Sequence, residues 1–305
     1  MRCEGGIVND VIAGLPRNAC LGIIAPAGPA RPGEVAEVEP IARRFGFRTK
    51  IFPSCRGPSH QGYLAAPDDV RAQDVHAAFA DNQVDAVVAL RGGYGCARIL
   101  ERLDLALLRR QPKLLVGYSD ITALHMFRHA LGLPGLHGPM PTSDWIREPD
   151  EAQRLFAVLR SGWRSGQCLR PQIPDHAFNR PGVARGRLVG GNLTILASLA
   201  GTPFQPNLRG CVVFLEEVAE SPYRVDRLLA QLRLSGALDD AAGFLVGGLT
   251  GSFDPSLVMA EYLAATRKPA IWGWSSGHVV PNHPLPLGVH VELDAGAGTV
   301  KLLPP

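Results

Sequence analysis

The feature that most constrains the fold is an alternation of apolar runs and helix-like segments in the first half of the chain. Apolar runs typical of buried strands lie at residues 20–25, 47–52, 85–90 and 114–116. Segments with helical spacing lie at residues 34–45, 68–80, 96–103 and 121–131. This β-α-β order predicts an α/β fold with a parallel sheet covered by helices on both faces.

The turn at residues 117–120 (GYSD) places Ser119 between a predicted strand and a predicted helix. Free backbone N–H groups gather at the start of a helix, together with the positive end of its dipole. Such a position suits a nucleophile, because these donors can stabilise the oxyanion formed on attack. The alternative is that Ser119 or Asp120 only caps the helix, which is the usual role of these residue types there.

A glycine-rich turn at residues 91–95 (RGGYG) follows the strand predicted at 85–90. Ligands of parallel sheets bind beyond the carboxyl ends of the strands, so this turn and Ser119 could face one site. The turn matches neither the dinucleotide-binding nor the Walker pattern of phosphate-binding loops. It could equally be a tight turn that needs positive φ, or one that brings backbone N–H groups close to a reacting carbonyl.

The second half of the chain supplies candidate partners for Ser119. The strand predicted at residues 211–218 (CVVFLEEV) ends in Glu216 and Glu217, and His278 lies in a loop rich in Gly and Ser. Neighbours on a regular strand point to opposite faces, so only one of the two acids can reach His278. The residues alone do not decide which one, and both could be ordinary surface groups.

The order serine, acid, histidine is that of the α/β hydrolases, although the G-x-S-x-G motif is absent. A serine hydroxyl needs a base to become nucleophilic, and the base needs an acid to fix its tautomer. His125 and His129 stand four residues apart on a predicted helix, but no third ligand has metal spacing. No metal site is therefore predicted.

Composition limits the kinds of binding partner and the cellular compartment that are expected for this protein. The net charge of +3 is small for 305 residues, so no nucleic-acid partner is expected. The six cysteines form no C-x-x-C pair, which fits free thiols in a reducing compartment. There is no signal-peptide pattern and no apolar stretch of membrane-spanning length, so a soluble cytoplasmic protein is expected.

Domain boundaries are predicted where the alternation of strands and helices changes. Residues 1–18 are expected to form a loose leader, and residues 19–140 an N-terminal α/β domain carrying Ser119. Residues 141–184, rich in Pro, Arg and Trp around one helix at 151–159, are expected to connect the domains. Residues 185–305 are expected to form a C-terminal domain, with a helix at 193–199 capped by Asn192 and a hairpin over 289–303.

From Leu21 to Leu302 the chain resembles the LD-carboxypeptidase family of serine peptidases. Seven short segments in the same order carry the resemblance: LGIIAPAGP, GYLAAPDDVRAQDVHAAFAD, RGGYG, GYSDITALH, GRLVGGNLTIL, FLEEVAESPYRVDRLL and GHVVPNHPLPLG. The resemblance implies a Rossmann- or flavodoxin-like N-terminal domain and a smaller, β-rich α+β C-terminal domain. It also implies a site between the two domains, in a protein that is commonly a homodimer.

The resemblance assigns roles to particular residues. It implies Ser119 as the nucleophile, Glu216 as the acid and His278 as the base. It implies an oxyanion hole built from the N–H groups of Gly93 and Asp120. It implies no metal and no cofactor.

Two branches of the family act on different substrates. One releases the terminal D-Ala from the L-centre of diaminopimelate in murein tetrapeptide during cell-wall recycling, and the other cleaves microcin C-type peptidyl-nucleotides. The segments GHVVPNHPLPLG and ESPYRVDRLL are more similar to the first branch, while the leader and residues 272–274 (WGW) depart from the family pattern. The rival interpretation from another class is a non-catalytic nucleotide- or sugar-binding protein that uses the glycine turn.

Overall fold

The computed structural model describes residues 10–169 and 176–305. Its strands are β1 (Asp10–Ile12), β2 (Cys20–Ile24), β3 (Arg48–Ile51), β4 (Ala86–Ala89), β5 (Leu114–Val116), β6 (Gly135–His137), β7 (Trp163–Arg164), β8 (Cys168–Leu169), β9 (Val183–Asn192), β10 (Val212–Val218), β11 (Gly243–Thr250), β12 (Ala270–Ile271), β13 (Leu285–Leu287), β14 (His290–Asp294) and β15 (Thr299–Leu302). Its α-helices are α1 (Glu34–Arg44), α2 (Asp68–Ala80), α3 (Cys96–Ile99), α4 (Leu105–Arg110), α5 (Thr122–His129), α6 (Pro149–Ser161), α7 (Leu193–Leu199), α8 (Pro222–Leu234) and α9 (Ser256–Ala265).

The N-terminal sheet has six strands in the order β13-β6-β5-β4-β2-β3. Strands β2 to β6 run parallel, and β13 joins the edge antiparallel to β6. Both faces are buried: Ile23 packs in one core cluster with Ile41 of α1, while Ile24 packs in the other with Val75 of α2. The predicted parallel sheet covered on both faces is confirmed.

The C-terminal sheet has seven strands in the order β12-β11-β10-β9-β14-β15-β8. Strands β9 to β12 run parallel, whereas β14 and β15 form the predicted antiparallel hairpin. At the end of β9, Asn192 Oδ1 accepts the N–H of Ile195 at 3.2 Å and caps α7 as predicted. The combination of an α/β N-terminal unit with a second, β-rich unit is confirmed.

The two sheets do not divide at one point in the chain. Strand β13 returns from the C-terminal half to pair with β6, and Phe156 of α6 stacks on Phe45 with ring centroids 4.7 Å apart. The N-terminal unit thus draws on residues beyond the expected boundaries at 140 and 185, which themselves stay predictions. The expectation of a loose leader is wrong for residues 10–12, which form β1 and pair with β7, and residues 1–9 lie outside the described range.

A direct contact joins the two units beside the predicted site. The backbone N–H of Asn192, at the end of β9, donates to Thr122 Oγ1 at the start of α5 with a distance of 3.0 Å. A Cβ built on Gly191 would lie 2.4 Å from the same Oγ1, so only glycine allows this approach. The carboxyl end of the C-terminal parallel strands is thereby held next to the turn that carries Ser119.

Candidate active site

Ser119 lies in a 3-10 turn, Ser119–Ile121, between β5 and α5. Its φ of 62° is in the left-handed region, which non-glycine residues adopt rarely and mostly where the surrounding structure enforces it. No side chain caps α5, and the Asp120 carboxylate instead accepts the N–H of Cys96 at 2.8 Å. The alternative that Ser119 or Asp120 serves as a helix cap is therefore wrong.

The glycine turn at residues 91–95 packs directly against Ser119. A Cβ built on Gly92 would lie 2.7 Å from Ser119 Cβ and 2.8 Å from its Oγ, which is closer than real Cβ contacts allow. The same position is 3.5 Å from the backbone nitrogen of Asp120. Gly93 has a φ of 112°, and Gly28 N–H holds the turn by donating to Gly92 O at 3.1 Å. The glycines thus allow both a tight turn and a close approach of backbone to Ser119.

His278 is held by Glu216 through two hydrogen bonds. Its Nδ1 is 2.6 Å from Glu216 Oε2, and its backbone N–H donates to the same oxygen at 3.3 Å. The Glu216 carboxylate is fully buried. A Cβ on Gly277, whose φ is 101°, would lie 2.7 Å from Glu216 Oε2. Glycine at that position therefore lets the carboxylate reach the loop backbone and the ring together.

Glu217 points to a different set of partners. Its Oε1 accepts Asn192 Nδ2 at 2.9 Å and the N–H of Val218 at 2.9 Å, and its Oε2 accepts both the N–H and the hydroxyl of Thr194 at 2.7 Å. The register of β10 against β11 shifts opposite Glu216, since Leu215 pairs with Val246 and Glu217 pairs with Leu249. The question that the residues left open is settled by these contacts: Glu216 faces His278, and Glu217 holds the start of α7.

Burial and the neighbouring carboxylate act in opposite directions on His278. Burial alone lowers the pKa of its ring, but the hydrogen bond and the negative charge of Glu216 outweigh this and raise the pKa above its usual 6.5. The ring also lies against Tyr118, with centroids 4.9 Å apart, and Tyr118 Oη donates to Asp144 Oδ1 at 3.1 Å. Burial raises the pKa of Tyr118, so its hydroxyl stays neutral.

The loop that carries His278 is fixed from the N-terminal unit. Gly277 N–H donates to Asn282 Oδ1 at 2.9 Å, and Asn282 N–H donates to Glu151 Oε2 at 3.0 Å. Glu151 belongs to α6 and is only 1% exposed. Sequence reasoning missed Tyr118, Asp144, Asn282 and Glu151. No local sequence pattern indicates a contact such as that between Glu151 and Asn282, which are 131 residues apart.

Ser119 and His278 line one cavity of about 200 Å³, together with Gly93 and Tyr118. Its other lining residues are Arg31, Arg91, Gly92, Met140, Thr142, Ser143 and Arg147. Both side chains lie within the described ranges, and no hydrogen bond joins Ser119 Oγ to the His278 ring. Bonds of this kind are often long before substrate binds. A larger cavity of about 700 Å³ shares Arg31 with the first but is lined by neither Ser119 nor His278.

The two helical histidines do not converge. His125 Nε2 lies 2.8 Å from Gly117 O, whereas His129 Nε2 lies 3.3 Å from Asn207 O. Burial lowers the pKa of His125 to about 4. Across residues 10–169 and 176–305, no group of three His, Cys, Asp or Glu side chains could hold a metal ion. The cysteines within those ranges are free, and no helix there is long and apolar enough to cross a membrane.

Two solved structures share this fold across nearly the whole chain. A muramoyltetrapeptide carboxypeptidase from Oxalobacter formigenes has 28% sequence identity and a TM-score of 0.82, with 94% of this chain and 100% of that chain covered. MccF in complex with glutamyl sulfamoyl guanosine has 22% identity and a TM-score of 0.84, with 97% and 99% covered. At that identity the likeness to MccF concerns the fold alone.

Sequence comparison identifies the family. The probable murein peptide carboxypeptidase of Bacillus subtilis is 34% identical over 298 residues, which is 94% of this chain and 92% of the relative. The murein tetrapeptide carboxypeptidase of Pseudomonas aeruginosa is 34% identical over 244 residues, covering 76% and 80%. Residues 21–138 match the LD-carboxypeptidase N-terminal domain, and residues 185–293 match the LD-carboxypeptidase C-terminal domain. The chain therefore belongs to the LD-carboxypeptidase family.

Proposed function

We propose that this protein is a serine carboxypeptidase that cleaves an L-to-D peptide bond and releases the terminal D-Ala from murein tetrapeptide. The observation that carries the proposal is the 2.6 Å contact between His278 Nδ1 and Glu216, in a ring that shares a cavity with Ser119. Relatives named as murein peptide carboxypeptidases support the substrate class. The role in cell-wall recycling follows from that substrate.

In the first step Ser119 Oγ attacks the carbonyl carbon of the scissile bond. His278 accepts the hydroxyl proton on Nε2, because its Nδ1 is engaged by Glu216. Glu216 holds this tautomer and stabilises the imidazolium that forms.

The oxyanion formed by the attack is bound by the N–H groups of Gly93 and Asp120. The close packing of the glycine turn against Ser119 supports this assignment, as does the start of the 3-10 turn at Ser119. Collapse of the intermediate breaks the C–N bond, and His278 gives its proton to the leaving D-Ala amine. Water then enters, and the same groups hydrolyse the acyl-enzyme.

Two other functions are distinguishable from this one. A microcin C-type peptidyl-nucleotide peptidase would use the same residues, and the fold shared with MccF is compatible with it. A non-catalytic nucleotide- or sugar-binding protein would not need the buried Glu216 to be hydrogen-bonded to His278. It would also not need His278 to share a cavity with Ser119, whose backbone is strained. That pair favours catalysis, and the relatives above 30% identity favour murein peptide.

The test is incubation of the purified protein with murein tetrapeptide and, separately, with a peptidyl-adenylate. We expect mass spectrometry to detect loss of one alanine from the tetrapeptide and no cleavage of the adenylate. Cleavage of the adenylate alone would assign the protein to the other branch. Cleavage of neither would leave a binding protein as the better interpretation.

We also propose that the enzyme acts in the cytoplasm as a homodimer, as the family resemblance implies. The free thiols among the described residues fit a reducing compartment. Light scattering coupled to gel filtration should give a mass near twice 32.6 kDa, and a mass of one chain at micromolar concentration would contradict the dimer.

A further inference from the structure

A carboxypeptidase must hold the terminal carboxylate of its substrate close to the nucleophile. In a peptide the terminal carboxyl carbon is three bonds from the scissile carbonyl carbon, a separation of roughly 3–4 Å. The group that binds this carboxylate must therefore line the cavity that contains Ser119. This reasoning rests on the proposed function.

Four side chains that can carry positive charge line that cavity: Arg31, Arg91, Arg147 and His278. His278 is engaged by Glu216. Arg147 has an acid partner in Glu34 at 3.4 Å, and its side chain is 49% exposed. Arg31 is exposed and lies at the rim shared with the larger cavity.

Arg91 differs from the others in both burial and pairing. Its side chain is partly buried, and no described carboxylate lies within ion-pair distance of it. Its Nη1 donates to Pro29 O at 2.8 Å, which fixes the guanidinium, and its other N–H donors have no hydrogen-bond partner among the described residues. A partly buried cation without an anion is costly unless an anion arrives with the ligand.

The position of Arg91 in the chain places it beside the chemistry. It directly precedes Gly92, the residue in contact with Ser119. Among the described residues that line the cavity there is no Asp or Glu to compete for the guanidinium. A planar guanidinium offers two parallel donors that match the two oxygens of a carboxylate.

We propose that Arg91 binds the terminal carboxylate of the substrate and thereby restricts cleavage to the last residue of the peptide. Arg91 is a specificity-determining residue, whereas the bond-breaking groups are those of the proposed triad. A substrate that ends in a neutral amide loses this pairing, so the preference for acid over amide measures it directly.

The experiment compares two peptides that differ only at their end, murein tetrapeptide with terminal D-Ala and the same peptide with terminal D-alaninamide. The wild-type protein should favour the acid by about 10- to 100-fold in kcat/KM, the range expected for a hydrogen-bonded charge pair. Arg91→Gln should lower kcat/KM for the acid by that factor and leave the amide nearly unchanged. Arg91→Lys keeps the positive charge but not the two parallel donors of the guanidinium. Its kcat/KM for the acid should therefore fall between the values of the wild type and Arg91→Gln.

Arg187→Gln is the matched control. Arg187 is also partly buried, and its Nη1 donates to a backbone carbonyl, that of Gly288, at 3.1 Å, but it does not line the cavity. It should keep the wild-type ratio of acid to amide.

Each outcome is decisive. An Arg91→Gln protein that keeps the wild-type ratio would overturn the inference while leaving the carboxypeptidase activity in place. A wild-type protein that cleaves acid and amide equally would overturn it without any variant, which covers the case in which Arg91→Gln does not fold. A wild-type protein that cleaves neither peptide would remove the proposed function, and this inference with it.

Discussion

Exchanging each of the two adjacent acids of β10 for its amide should separate catalysis from stability. Glu216 accepts hydrogen bonds from the ring and the backbone of His278, whereas Glu217 accepts hydrogen bonds around the start of α7. Glu216→Gln should therefore abolish most activity in a protein that still folds. Glu217→Gln should weaken the fold and leave the activity of the folded molecules nearly intact.

The magnitudes follow from these contacts. In Glu216→Gln the amide can present its NH₂ group to Nδ1 and favour the wrong tautomer of His278, an exchange that costs ~10⁴ in kcat in the serine protease triad. In Glu217→Gln the NH₂ group must replace one oxygen, and each oxygen accepts a backbone N–H, from Val218 or from Thr194. Either orientation leaves a buried donor unpaired, at about 1–3 kcal/mol. For a chain of this size that is roughly 2–5 °C in Tm.

The assay measures kcat on murein tetrapeptide and Tm by calorimetry for both variants and the wild-type protein. Different patterns are expected: a large loss of kcat for Glu216→Gln in a protein that still folds, and a lower Tm with kcat nearly intact for Glu217→Gln. If Glu217→Gln lost more kcat than Glu216→Gln, the assignment of Glu216 to His278 would be refuted.

Three further predictions follow from the same geometry. The proposed base His278 must be neutral to accept a proton, and its pKa is raised, so kcat/KM should rise with pH through a midpoint above 6.5; a midpoint well below that value in the pH profile would contradict this. Gly92→Ala should lower kcat at least ~100-fold, because its Cβ would displace Ser119. The control Gly296→Ala should retain wild-type kinetics, because its Cβ meets only an ordinary 3.4 Å contact. Equal activity of the two variants would rule out the tight packing of Gly92 against Ser119. A chelator should leave the rate of D-Ala release unchanged, and a loss restored by zinc would point to a metal that the proposed chemistry does not use.

The parallel sheet could be predicted because its signal is local and repeated. Short apolar runs at β2, β4 and β5 are buried on both faces of the sheet, so each reads as a continuous apolar segment rather than an alternating one. Strand β13 could not be predicted in the same way. It has only three residues and contains Pro286. It is a strand because it pairs with β6, which lies almost 150 residues earlier in the chain.

The same distinction between local and long-range sequence signals applies to the candidate site. Ser119 could be recognised from its turn and His278 from its loop, since both sit in small, polar segments at the ends of predicted strands. The choice between Glu216 and Glu217 depends on a register shift of β10 against β11, which the alternation of apolar residues does not reveal. The interpretation of Arg91 as more than part of a turn required its carbonyl partner and the absence of a carboxylate near it in the described structure.

The central claim is that Ser119 is the nucleophile of an LD-carboxypeptidase, and single-turnover release of D-Ala from murein tetrapeptide by Ser119→Ala tests it most directly. The account predicts a rate ~10⁴-fold or more below wild type, as removal of a triad member does, with Tm and tetrapeptide binding unchanged. A Ser119→Ala protein that kept a tenth or more of the wild-type rate would contradict the account.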